Sequence, residues 1–99
     1  MFPGYTTKVS EEIVALSTTI SPKKDVIHVT DTTATTAVAT IVPPFGGFSG
    51  IMVVINRSGN AITTVTTGNI ANAVSIPVDQ PCVFIFSKLT ALWYAGAIS

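Results

Sequence analysis

Along most of this chain, apolar and polar positions alternate with a period of two, the signature of strands with one face turned inward. Breaks between the alternating stretches are filled by proline, glycine, asparagine and aspartate. Val26-Ile27-His28-Val29-Thr30 reads as a strand closed by Asp31-Thr32-Thr33, whose short side chains bond to nearby backbone in a turn. Residues 36–42 alternate next, with Val38, Thr40 and Val42 on one side and Ala37, Ala39 and Ile41 on the other. Pro43-Pro44 then ends the ladder by removing donors. Phe45-Gly46-Gly47-Phe48-Ser49-Gly50 is a loop with two aromatic anchors. Residues 51–55 are continuously apolar, which predicts a strand covered on both faces. A turn at residues 56–60 leads to a strand over 61–67, which ends at Gly68-Asn69, read as a turn with positive φ. In residues 70–76, Ile70, Asn72, Val74 and Ile76 share one side. Pro77 and Pro81 bracket a connection, and residues 82–86 form a second two-sided apolar strand. A hairpin turn at 87–90 precedes a closing strand over 91–95. About seven short strands at this spacing predict an all-β fold: an antiparallel β-sandwich, jelly-roll-like, or a small barrel.

Residues 1–24 are more polar, and Ser21-Pro22 is the expected joint to a β domain of residues 25–99, because proline pushes the residue before it out of the helical region. Ser10 suits a helix cap with Glu11 and Glu12 in the positive first turn, and Val9, Ile13 and Leu16 then share a face. Ser17-Thr18-Thr19-Ile20 reads as extended. The expectation is an N-terminal arm with one short helical turn. The alternative is a plain edge strand or a frayed terminus.

Composition strengthens the β reading. Thr, Val and Ile make up 38 of 99 residues against 3 Leu, and branching at Cβ suits a pleated surface. Only 10% of residues are charged and the net charge is zero. Seven of the ten charges fall in the first 31 residues, and from Thr32 to Val78 the only one is Arg57. A chain so poor in basic residues is expected to bind neither nucleic acid nor a membrane surface. No apolar run approaches the length of a membrane-spanning helix. The first residues lack the basic and apolar regions of a secretory signal, which points to a product made in the cytoplasm. With one cysteine, Cys82, and no Cys/His cluster, neither a disulfide nor a metal is expected to staple so small a fold. Oligomerisation is the remaining staple, so much of the uncharged β surface is expected to be covered by other subunits.

Candidate chemistry is sparse. Glu11 and Glu12 are adjacent and diverge on any regular element, and Asp25, Asp31 and Asp79 fall in turns. His28 is the only histidine and faces away from Ile27 and Val29, as expected of a neutral structural imidazole. Cys82 opens an apolar run and reads as a buried, inert thiol. The chain is therefore expected not to be an enzyme and to use no cofactor. Adjacent Trp93 and Tyr94 suit either a stacking platform or a division between core and surface.

Several elements occur in a fixed order: Ile27-His28-Val29-Thr30-Asp31, Ala39-Thr40-Ile41-Val42-Pro43-Pro44, Phe48-Ser49-Gly50-Ile51, Thr66-Thr67-Gly68-Asn69-Ile70-Ala71, Phe84-Ile85-Phe86 and Trp93-Tyr94. In this order, over residues 26–95, the chain resembles a small β domain of tailed-bacteriophage virion proteins, of the capsid decoration (cement) or fibre-tip type. The resemblance implies a module often displayed as a trimer, with no catalytic residue. It implies a decoration protein on the capsid surface of the virion, bridging subunits of the major capsid protein. The alternative is a receptor- or glycan-binding tip of a head or tail fibre. Partner contacts are expected from Phe2, Tyr5, Ile13 and Leu16 in the arm, and from Phe45, Phe48, Trp93 and Tyr94 in the β domain.

Overall fold

The computed structural model describes residues 10–30 and 37–96. Among them are nine strands and no helix: β1 (Glu11–Ala15), β2 (Thr19–Ile20), β3 (Val26–Thr30), β4 (Thr40–Ile41), β5 (Gly50–Asn56), β6 (Ile62–Thr63), β7 (Ser75–Ile76), β8 (Pro81–Ser87) and β9 (Leu92–Ala95). The fold is all-β. Its main layer is a five-stranded sheet in the order β1-β3-β5-β8-β9. A second layer consists of the pairs β2-β4 and β6-β7, linked by a bridge between Val38 and Thr64.

The sheet is mixed, which corrects the antiparallel expectation. β1, β3 and β5 run parallel, whereas β5, β8 and β9 pair antiparallel. Parallel neighbours need a crossover, and here each crossover visits the second layer. The chain passes through β2 between β1 and β3, and through β4 between β3 and β5. β2 and β4 are consequently parallel to each other as well. Alternation along a strand reveals its inward face but not its direction relative to its neighbours.

The expected arm takes the extended alternative. Glu11–Ala15 is an edge strand of the main sheet, in register with β3 from Glu11↔Val26 to Ala15↔Thr30. No helical turn forms at Ser10, because its carbonyl accepts from the Val26 amide instead. Leu16 is buried, and its amide donates to the Thr30 carbonyl. Residues 10–24 thus belong to the same two layers as the remainder.

The core lies between the layers. Ile27, Val29, Met52, Val54, Cys82, Phe84, Phe86 and Trp93 descend from the main sheet, and Ile20, Val38, Ile41, Ile62 and Ile76 rise from the second layer. The simple alternation predicted for residues 36–42 fails at one point: Val38 and Ile41 are both buried. The amides of Ala39 and Thr40 both donate to the Thr18 carbonyl, at 2.9 and 3.0 Å. Two consecutive donors on one acceptor mark a bulge, and the extra residue flips the side chains after it to the other face.

Polar locks hold the layers together. Asn69 brackets Ile41, accepting from its amide at 2.9 Å and donating to its carbonyl at 2.7 Å. The Trp93 indole donates to the same carbonyl at 2.9 Å. Gly68 lacks the positive φ expected of it. It is required by close approach instead, since a Cβ there would lie 2.1 Å from the Ala39 carbonyl oxygen. Asn56, fully buried, donates to the carbonyls of Asn60 and Ile76 and accepts from the amide and hydroxyl of Ser58. That network closes the turn after β5 with each polar atom of the amide partnered.

Candidate interaction surface

Among the described residues, the second layer covers one face of the main sheet and leaves the other open, so these residues do not themselves supply the double cover expected of the apolar strands. On β5, Met52, Val54 and Asn56 are buried, while Ile51 is exposed and Val53 and Ile55 are half-buried. On β8, Cys82, Phe84 and Phe86 are buried, while Val83 and Ile85 are exposed. The registers align the outward residues in rows across the sheet. Ile13, His28, Ile55 and Pro81 form one row, Glu11, Val26, Val53 and Val83 another, and Ile51, Ile85 and Tyr94 a third. The outer face is therefore a band of β-branched side chains open to solvent, with Ile13 74% exposed and Ile51 59%. Isolated exposed apolar residues are ordinary, but a contiguous face of them marks an interaction surface.

The polar groups of this face gather at one corner. His28 Nε2 lies 2.7 Å from Glu11 Oε1, and its Nδ1 is buried without a partner among the described residues. The tautomer with Nε2–H donating to the carboxylate leaves only a lone pair unmet at Nδ1, the cheaper arrangement. Glu11, Glu12, Ile13, His28, Thr30 and Arg57 line an open depression of ≈ 360 Å³ there. The two glutamates diverge as expected: Glu12 turns away from His28 and accepts from the amides of Lys23 and Lys24. The corner thus holds one carboxylate–imidazole pair, and Glu12 is occupied in tying down the crossover between β1 and β3.

A second feature lies at the Phe45–Phe48 loop. Phe45 is 64% exposed and stands edge-on to Phe48, with ring centroids 5.4 Å apart. Phe48 in turn packs on Phe86 and Trp93. On one side of Phe45 is a cleft of ≈ 210 Å³ lined also by Lys23, Lys24 and Asp25, and on the other an open depression beside Lys88.

The eight expected contact residues separate accordingly. Ile13 and Tyr94 lie on the outer face, and Phe45 and the half-buried Phe48 form the aromatic loop. Leu16 and Trp93 are corrections: both are buried in the core and offer a partner no surface. The Trp93-Tyr94 pair divides across the sheet, so no stacking platform forms. Tyr94 Oη instead donates to Thr90 Oγ1 at 2.9 Å. Phe2 and Tyr5 lie outside the described residues. Sequence reasoning missed Ile51, Val83 and Ile85 as surface residues. Their signal was the unbroken apolar run, which says that both faces are apolar but not which face this chain covers itself.

The only cysteine is equally settled by the fold. Cys82 is buried beside β9, and burial pushes its thiol above its ordinary pKa. Such a thiol is a poor nucleophile. Among the described residues, no cluster of three or more His, Cys, Asp or Glu side chains is placed to hold a metal ion. Comparison of the chain with family models, curated proteins and solved structures returns no match in any of the three.

Proposed function

We propose that this chain is a structural virion protein: a capsid decoration (cement) protein that self-associates as a homotrimer and stabilises a phage head by bridging subunits of the major capsid protein. The observation that carries the reading is the uncovered outer face. Among the described residues, the core is completed on one side of the sheet and a nearly uncharged apolar band is left on the other. Such a band lowers free energy when another protein covers it, by about 25 cal/mol per Å² of apolar area removed from water. The resemblance of residues 26–95 to phage virion domains supplies the assembly in which the cover is found. Repetition over a capsid makes a modest contact effective, because each added copy binds to a surface already held in place.

Light scattering and capsid binding test the proposal together. The purified chain is expected to show a mass above that of its 10.3 kDa monomer. It is also expected to bind phage capsids and raise their disassembly temperature. The double variant Ile51→Lys with Ile85→Glu, an opposite-charge cross-strand pair, should fold normally and lose both properties. A stable monomer that leaves capsid disassembly unchanged overturns the reading.

The exposed Phe45 supports a second reading, a receptor- or glycan-binding fibre tip. An aromatic ring flanked by a cleft with two lysines suits an anionic sugar. A glycan array with Phe45→Ala as control tests it, since Trp93 is buried and unsuited to that purpose.

A further inference from the structure

The edge of the main sheet carries a contact that is separate from whatever covers its outer face. We propose that β1 is a self-pairing edge: two copies of the chain join antiparallel along Glu11–Ala15 about a two-fold axis at Ile13, forming one continuous ten-stranded sheet.

The direction of each main-chain group follows from the parallel ladder. The Ser10 carbonyl accepts from the Val26 amide, and the Leu16 amide donates to the Thr30 carbonyl. In such a ladder, alternate residues bond to the same neighbour, so Ser10, Glu12, Val14 and Leu16 serve β3. The amides and carbonyls of Glu11, Ile13 and Ala15 therefore point away from the sheet. Among the described residues, no backbone group meets them. An open edge of this kind is a template for another strand.

The short strand is complementary to itself in one register. Centred on Ile13, antiparallel pairing sets Ile13 opposite Ile13 and Glu11 opposite Ala15. All three outward residues then form hydrogen-bonded pairs, and no carboxylate faces another. Centring on Glu11 or Glu12 opposes like charges, which is destabilising. Centring on Val14 or Ala15 leaves Glu11 beyond the overlap of the two strands. The exposed Ile13 side chain gains an apolar neighbour at the axis.

The second copy also supplies area. One outer face, five strands at about 4.8 Å spacing and about five residues long, presents on the order of 400 Å². That is about half of what one partner gives to a standard protein interface. Joining two copies at β1 makes a continuous face of about 800 Å², which matches that size. The contact is isologous and links copies in twos, so within an assembly of trimers it ties one trimer to the next.

Disulfide trapping tests both edge and register. In a hydrogen-bonded antiparallel pair the Cα atoms are about 5.5 Å apart, within reach of a disulfide. The Ile13→Cys protein is expected to form disulfide dimers under mild oxidant at least about tenfold faster than Leu89→Cys, a cysteine on a fully open loop, because pairing raises the effective concentration. Ala15→Cys alone should stay at the Leu89→Cys rate, since the two copies of residue 15 are about 14 Å apart along the paired strands. A mixture of Glu11→Cys and Ala15→Cys should crosslink at the faster rate. The buried Cys82 stays out of the exchange. Ile13→Pro provides a second measurement: it deletes the central outward donor and leaves the ladder to β3 intact, so the concentration-dependent rise in mass beyond the trimer by light scattering should vanish. Equal rates for Ile13→Cys and Ala15→Cys, no acceleration over Leu89→Cys, or an unchanged mass profile for Ile13→Pro each overturn the proposal. These readouts need no capsid, so they stand or fall apart from the decoration reading.

Discussion

Replacing Asn56 by Asp tests the polar network that closes the turn after β5. The two side chains have the same shape, so packing is held constant while one amide nitrogen becomes oxygen. That nitrogen donates to the Asn60 carbonyl at 2.7 Å and to the Ile76 carbonyl at 2.9 Å. One carboxylate oxygen keeps the Ser58 amide and hydroxyl, while the other faces the carbonyls of Asn60 and Ile76 with no proton between them. Two lost hydrogen bonds cost about 1 kcal/mol each and one buried carboxylate oxygen left without a donor about 1–3 kcal/mol more, so Asn56→Asp should destabilise the fold by about 3–5 kcal/mol at pH 7. For a domain of this size the melting temperature should fall by more than about 10 °C. Burial raises the pKa of the introduced carboxyl above its unfolded value, and the neutral acid regains one donor. The folded state therefore holds the proton more tightly than the unfolded state. The deficit relative to the parent is smallest below the unfolded carboxyl pKa and grows as pH rises through the folded one. Urea unfolding of both proteins at pH 4 and pH 7 measures this. A deficit under about 1 kcal/mol at pH 7, or one independent of pH, refutes the assignment of Asn56 as a two-donor lock.

Three further outcomes follow from single positions. Gly68→Ala places a methyl group 2.1 Å from the Ala39 carbonyl oxygen and 2.3 Å from Thr40 Oγ1. It should cost about 3 kcal/mol in a denaturant titration; an unchanged midpoint excludes the close approach. Ala91 holds a left-handed φ of 58° where its amide donates to the Ser87 carbonyl. Ala91→Gly should accordingly stabilise the fold by about 0.5–1 kcal/mol, the relief of strain outweighing the added chain entropy. The Cys82 thiol, pushed up by burial, should react with iodoacetamide at pH 8 far more slowly in the native chain than in urea, and comparable rates would contradict its burial.

The apolar pattern in the sequence sets the positions of the long strands and, where it alternates as in β3, the inward face. It places β3 at Val26–Thr30, and β5, β8 and β9 within a residue or two of their observed ends. It also sets Ile27 and Val29 on the face opposite His28, and both lie in the core. These are local properties: a pleated strand with one face inside must alternate, and proline or a turn must end it. The dearth of charge after residue 31 likewise announces a surface with little to attract water.

The direction of strands, the fate of each apolar face and the use of each edge belong to the tertiary structure. Parallel pairing of β1, β3 and β5 depends on crossovers through β2 and β4, strands too short to show a period. The burial of Ile41 depends on a bulge that no local propensity marks. Leu16 and Trp93 read as surface contacts because an apolar or aromatic side chain looks alike in a core and at an interface. Only the position of the second layer separates them, putting both inside and leaving Ile51, Val83 and Ile85 outside. A run of residues records that both of its faces are apolar. Which of the two is covered by the same chain and which is left for another is decided by contacts between residues far apart in sequence.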